Sequence, residues 1–316
     1  MNNEMQATIV VTNYNYGRFL AEAIDSALSQ TLNPVDVVVV DDGSTDDTPA
    51  VLARYDARIR VLRQPNRGLA AARNAGLAAT RGTYVAFLDA DDVLAPAKLA
   101  EQVALLERAP TVGWTYCDVL IETVATGARV TASERFGYGS RALDGWLFPE
   151  LIHGNFIPAI APLVRRTALD VVGGFDERLT ALEDWDLWLR LALGAEARYS
   201  PAVLATYRIQ PGGMSEDRSR MDRNRFRVLD TLHRNRPAAL EGLGSVGRRI
   251  IADTHNWLGK EAYAGGDWGE ARRRFTASVL TVPWQREAPM LLGLSLVRGG
   301  ARAWTSANGP RKTGSP

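Results

Sequence analysis

The amino-acid sequence predicts an α/β protein with a doubly wound, mostly parallel sheet, followed by an all-helical appendage. From residue 7 to about residue 110, short β-type apolar runs alternate with helical patterns. This alternation is typical of parallel sheets that carry helices on both faces. From about Arg218 onward helical periodicity replaces the strand patterns, and the net charge changes sign at the same point.

The chain up to Gly82 supplies three strands and three helices in alternation. Residues 7–12, 35–40 and 59–62 are short runs rich in β-branched residues, so they predict strands. The helical patterns that follow these strands cover residues 18–30, 48–55 and 66–82. No Gly-x-Gly-x-x-Gly follows the first strand, which argues against a dinucleotide-binding domain.

Residues 83–92 are the segment around which the predicted site is organised. They begin as an apolar strand pattern and end in three carboxylates, Asp89, Asp91 and Asp92. Open α/β sheets bind ligands just beyond the carboxyl ends of such strands. Neighbouring carboxylates raise each other's pKa, and a divalent cation such as Mg²⁺ or Mn²⁺ removes that penalty. The alternative is a helix N-cap at Asp92, ahead of Pro96.

Polar residues after the other strands favour a nucleotide pocket at the same sheet edge. Tyr14 can stack on a base, Asp42 can accept a hydrogen bond from a base N–H, and Arg73 can reach a phosphate. Taken singly, Tyr14 and Asp42 fit turn residues better, and Arg73 fits a solvated helix face better. Their joint placement makes the nucleotide pocket the better interpretation.

Four motifs, in this order, resemble those of glycosyltransferase family 2: Val10-Val-Thr-Asn-Tyr-Asn15, Val39-Val-Asp-Asp-Gly-Ser-Thr-Asp46, Asn66-Arg-Gly-Leu-Ala-Ala-Ala-Arg-Asn-Ala-Gly76 and Phe87-Leu-Asp-Ala-Asp-Asp92. That family has the GT-A fold, uses nucleotide-sugar donors and inverts the anomeric centre. The resemblance implies a nucleoside-diphosphate sugar of the UDP or dTDP type as donor. It implies that the base is held by Thr12, Tyr14 and Asp42, that Arg73 approaches the donor, that Asp89 and Ala90 contact its ribose or sugar, and that Asp91 binds the metal.

A second chemical centre is predicted in residues 181–191, where Glu183 and Asp184 open an amphipathic helix. Without other context, two acids in a first turn would serve the helix dipole. The segment resembles the Glu-Asp motif of the family, which implies that Asp184 is the catalytic base that takes the acceptor hydroxyl proton. The Gln-x-x-Arg-Trp of processive synthases is absent from the sequence, so we expect one transfer per encounter.

Residues 205–215 resemble the segment that closes the catalytic domain of the family. Many members have a metal-ligating His where this chain has Gln210, so we expect weaker metal binding or a water ligand here. Gln210, Glu183 and Asp92 are predicted as supporting site residues. Gly212 and Gly213 predict a flexible lid over the donor. The irregular, polar residues 122–145 are where an acceptor loop is expected.

The predicted domain organisation divides the chain at residue 217. Residues 1–217 form the catalytic domain, with a nucleotide-binding half up to about residue 110 and an acceptor half after it. The predicted helices of the appendage, 218–304, cover residues 218–235, 245–265, 268–281 and 287–303. Residues 257–275 resemble one tetratricopeptide-like hairpin, which cannot bury its own faces alone. Residues 305–316 are predicted to be a disordered tail.

Charge separates the two parts of the chain. Residues 1–217 contain 19 Lys or Arg against 28 Asp or Glu, whereas residues 218–316 contain 18 against 8. Residues 290–297 are apolar and precede Arg298 and Arg302. The basic appendage is expected either to contact an anionic membrane surface or to dock on the acidic domain. A single cysteine, the lack of a signal peptide and the lack of a membrane-length apolar run predict a cytoplasmic protein, peripheral at the inner membrane face in the first case.

These observations predict an inverting, metal-dependent, non-processive glycosyltransferase. The expected acceptor is a glycan or a lipid-linked glycan of surface polysaccharide biosynthesis, and no nucleic-acid partner is expected. A nucleotidyltransferase that makes nucleotide-sugars is an alternative, but residues 13–18 are a poor match to the Gly-rich basic loop that it needs. A non-catalytic scaffold that binds through the helical tail is the other alternative.

Overall fold

The computed structural model describes residues 6–138, 143–284 and 287–296. The chain forms two compact units, Met1–Met221 and Asp222–Pro316, and the boundary falls inside a helix. The predicted tail over residues 305–316 lies outside the described residues, as do Arg298 and Arg302.

The first unit is built on a nine-stranded sheet of order β3-β2-β1-β4-β8-β6-β9-β5, with β7 paired to β6. β1 to β4 run parallel, as the sequence predicts, and the β6–β9 pair is also parallel. The remaining pairs are antiparallel, so the second half of the sheet is mixed. The strands are β1 (Ala7–Asn13), β2 (Val35–Asp41), β3 (Arg60–Arg63), β4 (Tyr84–Asp89), β5 (Val93–Leu94), β6 (Trp114–Thr123), β7 (Ala128–Thr131), β8 (Pro162–Arg165) and β9 (Ala197–Ile209).

Helices flank this sheet. Every residue of β1 is buried, which explains why the central strands are continuous apolar runs and do not alternate. The helices of the first unit are α1 (Gly17–Leu28), α2 (Thr48–Leu52), α3 (Leu69–Ala78), α4 (Lys98–Arg108), α5 (Ala132–Phe136), α6 (Phe148–Leu151), α7 (Arg166–Val172) and α8 (Glu183–Gly194).

The 13-residue strand β9 was not predicted from the sequence. It contains Pro201, which cannot donate to a strand ladder and therefore argues against a strand. The structure accommodates it at a bulge, because Cys117 pairs with Ser200 while the next residue of β6, Asp118, pairs with Val203. Part of the segment expected to be irregular, residues 122–145, instead forms β7 and α5, whereas residues 139–142 lie outside the described residues.

The second unit is helical in its described residues. Its helices are α9 (Arg218–Asn235, which starts in the first unit), α10 (Pro237–Glu241), α11 (Ser245–Ala264), α12 (Trp268–Thr281) and α13 over residues 287–296. α11 packs closely on α12, since a Cβ added at Gly259 would lie 2.6 Å from the buried ring of Phe275. Among the described helices, none is both long and apolar enough to cross a membrane.

Candidate active site

The carboxyl ends of β1 and β4 meet side by side and bring two predicted site residues into contact. Thr12 is in register with Asp89, and its Oγ1 donates a hydrogen bond of 2.9 Å to Asp89 Oδ1. The backbone N–H of Ala90 donates to the carbonyl of Thr12 at 3.1 Å. The chain therefore leaves the sheet at Asp89 in a fixed direction, toward Asp91 and Asp92.

Asp42 follows β2 and holds the loop that leads into α3. Its Oδ1 accepts hydrogen bonds from Gln64 Nε2 at 2.7 Å and from the backbone N–H of Arg67 at 3.0 Å. Its Oδ2 accepts from the backbone N–H of Gly68 at 2.8 Å. Gly68 has φ of +90°, a conformation that favours glycine, so both the acid and the glycine are needed to form this turn. Tyr14, in the neighbouring loop, is 45% exposed and presents its ring to solvent.

Arg73 connects the two predicted chemical centres. Its Nη2 donates to both oxygens of Asp89, at 2.9 and 2.8 Å, and its Nη1 donates to Glu183 Oε1 at 2.6 Å. The interpretation of Arg73 as a solvated helix residue is wrong, because the side chain is only 2% exposed. Both of its terminal nitrogens contact carboxylates, so α3 ties the end of β4 to the first turn of α8.

Asp91 and Asp92 form the turn after β4. Burial and the neighbouring charge of Asp89 raise the pKa of Asp91 to about 6. Asp92 is buried, and burial together with Asp91 raises its pKa. The N-cap alternative for Asp92 is wrong: α4 begins at Lys98 after Ala97, and Asp92 Oδ1 accepts a hydrogen bond of 2.8 Å from the backbone N–H of Arg208.

Asp91 and Asp92 carry oxygen atoms of the kind that a divalent cation takes as ligands. Asp92 Oδ2 is buried and has no hydrogen-bond partner among the described residues. The described part of the chain has no group of three or more His, Cys, Asp and Glu side chains that could enclose a metal on its own. Oxygen ligands from a phosphate or from water are therefore needed to complete a coordination shell here.

Gln210 directly follows β9, two residues after Arg208. Its side chain is 5% exposed, and its Nε2 lacks a partner among the described residues. A buried polar group without a partner is costly and calls for an explanation. A ligand bound beside the Asp91–Asp92 turn would supply a hydrogen-bond partner for this nitrogen.

Glu183 and Asp184 open α8, as predicted, and Asp184 satisfies one N–H of the first turn, because its Oδ1 accepts a hydrogen bond of 2.7 Å from the backbone N–H of Trp185. The residue before them, Leu182, has φ of +60° and makes no side-chain cap. Burial raises the pKa of Glu183 to about 7, a shift that Arg73 opposes and Asp184 reinforces. Burial also raises the pKa of Asp184, while Arg73 and a hydrogen bond from Asn155 oppose the shift.

Two residues at the site were not found from the sequence. Asn155 Nδ2 donates to Asp184 Oδ2 at 2.9 Å. Arg208 donates to both carboxylate oxygens of Glu22 at 2.7 Å and to the backbone carbonyl of Asp91 at 3.4 Å, so it supports the turn that carries Asp91. Arg208 lies in the segment 205–215 that resembles the family, but no role was predicted for it, and Asn155 belongs to no predicted motif. Their partners lie 29 to 186 residues away in the sequence, so no local pattern indicated these contacts.

Known proteins that are similar to this chain are glycosyltransferases or polysaccharide biosynthesis proteins, in agreement with the resemblance of its motifs. Residues 8–156 match the family model described as Glycosyl transferase family 2. An uncharacterized glycosyltransferase of Rickettsia prowazekii is 31% identical over 206 residues, which cover 64% of this chain and 63% of the relative. The succinoglycan biosynthesis protein ExoO of Rhizobium meliloti is 34% identical over 220 residues, 66% of this chain and 62% of that protein. The chain thus spans less than two thirds of the length of these relatives.

Solved structures share the fold. S. aureus TarS 1–349 in complex with UDP-GlcNAc has a TM-score of 0.64 at 18% identity, and the match covers 95% of this chain and 88% of that chain. The mannosyltransferase PcManGT from Pyrobaculum calidifontis, in complex with GDP-Man and Mn²⁺, has a TM-score of 0.56 at 21% identity, and the match covers 93% of this chain and 85% of that chain.

Proposed function

We propose that this chain, whose residues 8–156 match glycosyltransferase family 2 and whose fold is shared by solved glycosyltransferase structures, is an inverting, metal-dependent, non-processive glycosyltransferase. It transfers a sugar from a nucleoside-diphosphate sugar to an acceptor hydroxyl. The observation that carries the proposal is the Arg73 bridge. Arg73 contacts Asp89 and Glu183, and these residues are close in sequence to the proposed metal ligand Asp91 and the proposed base Asp184.

The nucleotide would bind at the carboxyl ends of β1, β2 and β4. Tyr14 has an exposed ring on which a base can stack. Asp42 fixes the loop over residues 64–68, and Thr12 holds Asp89. In this proposal both residues shape the nucleotide pocket through these contacts. Asp89 and Ala90 face the ribose or sugar of the donor in this proposal, while Arg73 acts through Asp89 because both of its terminal nitrogens are engaged by carboxylates.

The relatives support a nucleotide-sugar donor, since TarS has been solved with UDP and with UDP-GlcNAc, and PcManGT with GDP-Man. We propose a donor of the UDP or dTDP type for this chain. Asp91 would hold Mg²⁺ or Mn²⁺, with Asp92 and Gln210 beside it. A cation bound there would offset the charge that develops on the departing nucleoside diphosphate.

Asp184 is the proposed general base. It lies in the first turn of α8, partly exposed, and its raised pKa makes its carboxylate more basic than that of a solvated aspartate. It takes the proton of the acceptor hydroxyl as that oxygen attacks the anomeric carbon opposite the departing diphosphate. In-line displacement of this kind inverts the anomeric centre.

The acceptor is proposed to be a glycan or a lipid-linked glycan, and the similarity to a succinoglycan biosynthesis protein supports a role in polysaccharide biosynthesis. We also propose that the second unit contacts a cytoplasmic membrane face, and its exposed apolar side chains support this. Trp284 is 92% exposed and Leu280 is 77% exposed, with Met290 and Leu294 exposed on α13. Exposed aromatic and aliphatic side chains on a basic segment are typical of interfacial helices.

A binding screen tests the proposal. Thermal unfolding is followed with UDP, dTDP, GDP and ADP, each with and without Mn²⁺, because selective binding to the native state raises the melting temperature. We expect one nucleoside diphosphate to stabilise the protein, and Mn²⁺ to increase the effect. Equal melting temperatures with all four, with and without Mn²⁺, would contradict the proposal.

A further inference from the structure

Asn155 lies on the segment between α6 and β8, and three hydrogen bonds tie the end of α6 and this segment to α8. Trp185 Nε1 donates to the carbonyl of Leu151 at 2.7 Å, and Trp188 Nε1 donates to the carbonyl of Ile157 at 3.2 Å. Between these two anchors, Asn155 Nδ2 donates to Asp184 Oδ2 at 2.9 Å. Both tryptophans are buried, so the segment is held firmly even without the asparagine.

The orientation of the Asn155 amide is fixed by its other contact. Asn155 Oδ1 accepts a hydrogen bond of 3.3 Å from the backbone N–H of Ile157. A backbone N–H can only donate, so the oxygen of the amide must face Ile157 and the nitrogen must face Asp184. The asparagine is therefore a donor to the carboxylate in this arrangement.

Asp184 is held at both oxygens, from two different elements. Oδ1 accepts from the backbone N–H of Trp185 at 2.7 Å, within α8, while Oδ2 accepts from Asn155. Two donors on two oxygens fix the rotation of the carboxylate plane. A hydrogen bond to the ionised form also favours ionisation, which opposes the effect of burial on this group.

We propose that Asn155 is the positioning residue of the catalytic base: its amide sets the plane of the Asp184 carboxylate and favours the ionised form, which accepts a proton from an acceptor hydroxyl. The assignment rests on the proposed function of Asp184. Asn155 itself touches no reacting atom in this role and acts through Asp184 alone.

Three variants separate this role from a structural one. Asn155→Asp is isosteric and keeps an acceptor for Ile157 N–H, but it replaces the donor with a second carboxylate. Asn155→Ala removes both contacts. Gln30→Ala is the matched control, because that amide also fixes a loop, through the backbone C=O of Ala95 and N–H of Leu99, and none of these residues contacts Asp184, Asn155 or Arg73 through a described hydrogen bond.

The direct measurement is a pH titration of the Asp184 carboxyl carbon by NMR, in full-length protein labelled at aspartate Cγ, with Asp184→Asn to identify the signal. In Asn155→Ala we expect the pKa of Asp184 to rise by about one unit, the scale of one lost hydrogen bond to a charged group. In Asn155→Asp the rise should be larger, because two carboxylates share one site. Gln30→Ala should leave the pKa of Asp184 unchanged. An unmoved titration in both Asn155 variants would overturn the assignment.

Kinetics give an independent readout that distinguishes the inference from the proposed function. With a nucleotide sugar that the wild type turns over, the acidic limb of kcat/KM should shift to higher pH in Asn155→Ala by the same amount as the NMR titration, with an unchanged KM for the donor. A lower kcat with no shift of that limb would overturn the inference. If the wild type turns over no nucleotide sugar, the proposed function fails, and the NMR titration still decides the role of Asn155.

Discussion

Replacing Arg73 by leucine removes the cation that joins Asp89 to Glu183. The wild-type side chain makes three hydrogen bonds to these carboxylates and is 2% exposed. Removing one partner of a buried ion pair costs about 3–5 kcal/mol, because it leaves uncompensated charge in the interior. We expect Arg73→Leu to lose about that much of its free energy of unfolding. Arg73→Lys should lose less, because an ammonium keeps the charge but cannot match the planar fork of the guanidinium.

The loss should also depend on pH. Burial already raises the pKa of Glu183 to about 7 from an ordinary value of 4.5, even with Arg73 present. A carboxyl group whose pKa is raised in the folded state destabilises the protein progressively as the pH rises from its unfolded-state pKa to its folded-state pKa, and the loss levels off above the latter. Removing Arg73 raises the pKa of Glu183 further, so the extra loss appears only above about pH 7. The free energy of unfolding that Arg73→Leu loses relative to the wild type should therefore be larger at pH 8 than at pH 6.

Urea unfolding, followed by circular dichroism and tryptophan fluorescence at pH 6 and pH 8, measures both effects. Arg129→Leu is the control, because Arg129 is 62% exposed and pairs with Glu122 at the surface. An exposed pair contributes less than about 1 kcal/mol. If Arg73→Leu loses no more than Arg129→Leu, or if its deficit is the same at both pH values, the reasoning about the buried bridge is refuted.

Two further predictions concern the metal and the membrane. Asp91→Ala should abolish the gain in affinity for a nucleoside diphosphate that Mn²⁺ provides, as measured by titration calorimetry, and a persisting gain would move the metal site elsewhere. Full-length protein should sediment with anionic but not neutral liposomes at low salt, and less so at high salt, since charges beyond ~8 Å are screened at physiological ionic strength. Trp284→Ser should weaken this sedimentation because Trp284 is the most exposed large apolar side chain described. Failure of the wild type to bind anionic liposomes at low salt would favour docking of the basic helices on the acidic domain.

The parallel half of the sheet could be predicted because its strands obey local rules. β1, β2 and β4 are mostly apolar and buried, and each ends in a polar loop, so the positions of Asp42, Asp89 and Asp91 at the carboxyl edge of the sheet could be predicted. The helices of the second unit could be predicted equally well, since hydrophobic periodicity is a local property of the sequence. Only the five-residue α10 was missed among the described helices of that unit.

The remaining parts depend on contacts between distant segments. β9 is stabilised as a strand by pairing with β6, and its proline sits in a bulge that only the pairing defines. The burial of Arg73 depends on Glu183, 110 residues away, and the role of Asn155 depends on the position of α8. A sequence pattern indicated that Arg73 and Asp184 belong to one site, but the way in which they are joined requires the structure.

The central claim is that Asp184 removes a proton from the acceptor in a site that binds a nucleotide sugar independently of that step. The most direct test compares the wild type with Asp184→Asn in the presence of Mn²⁺, measuring release of the nucleoside diphosphate in the presence of acceptor and the Kd of the nucleotide by calorimetry. Loss of a general base costs roughly 10²–10⁴-fold in rate. We expect release to fall by about that factor while the Kd is unchanged. Near-wild-type release by Asp184→Asn would contradict the claim.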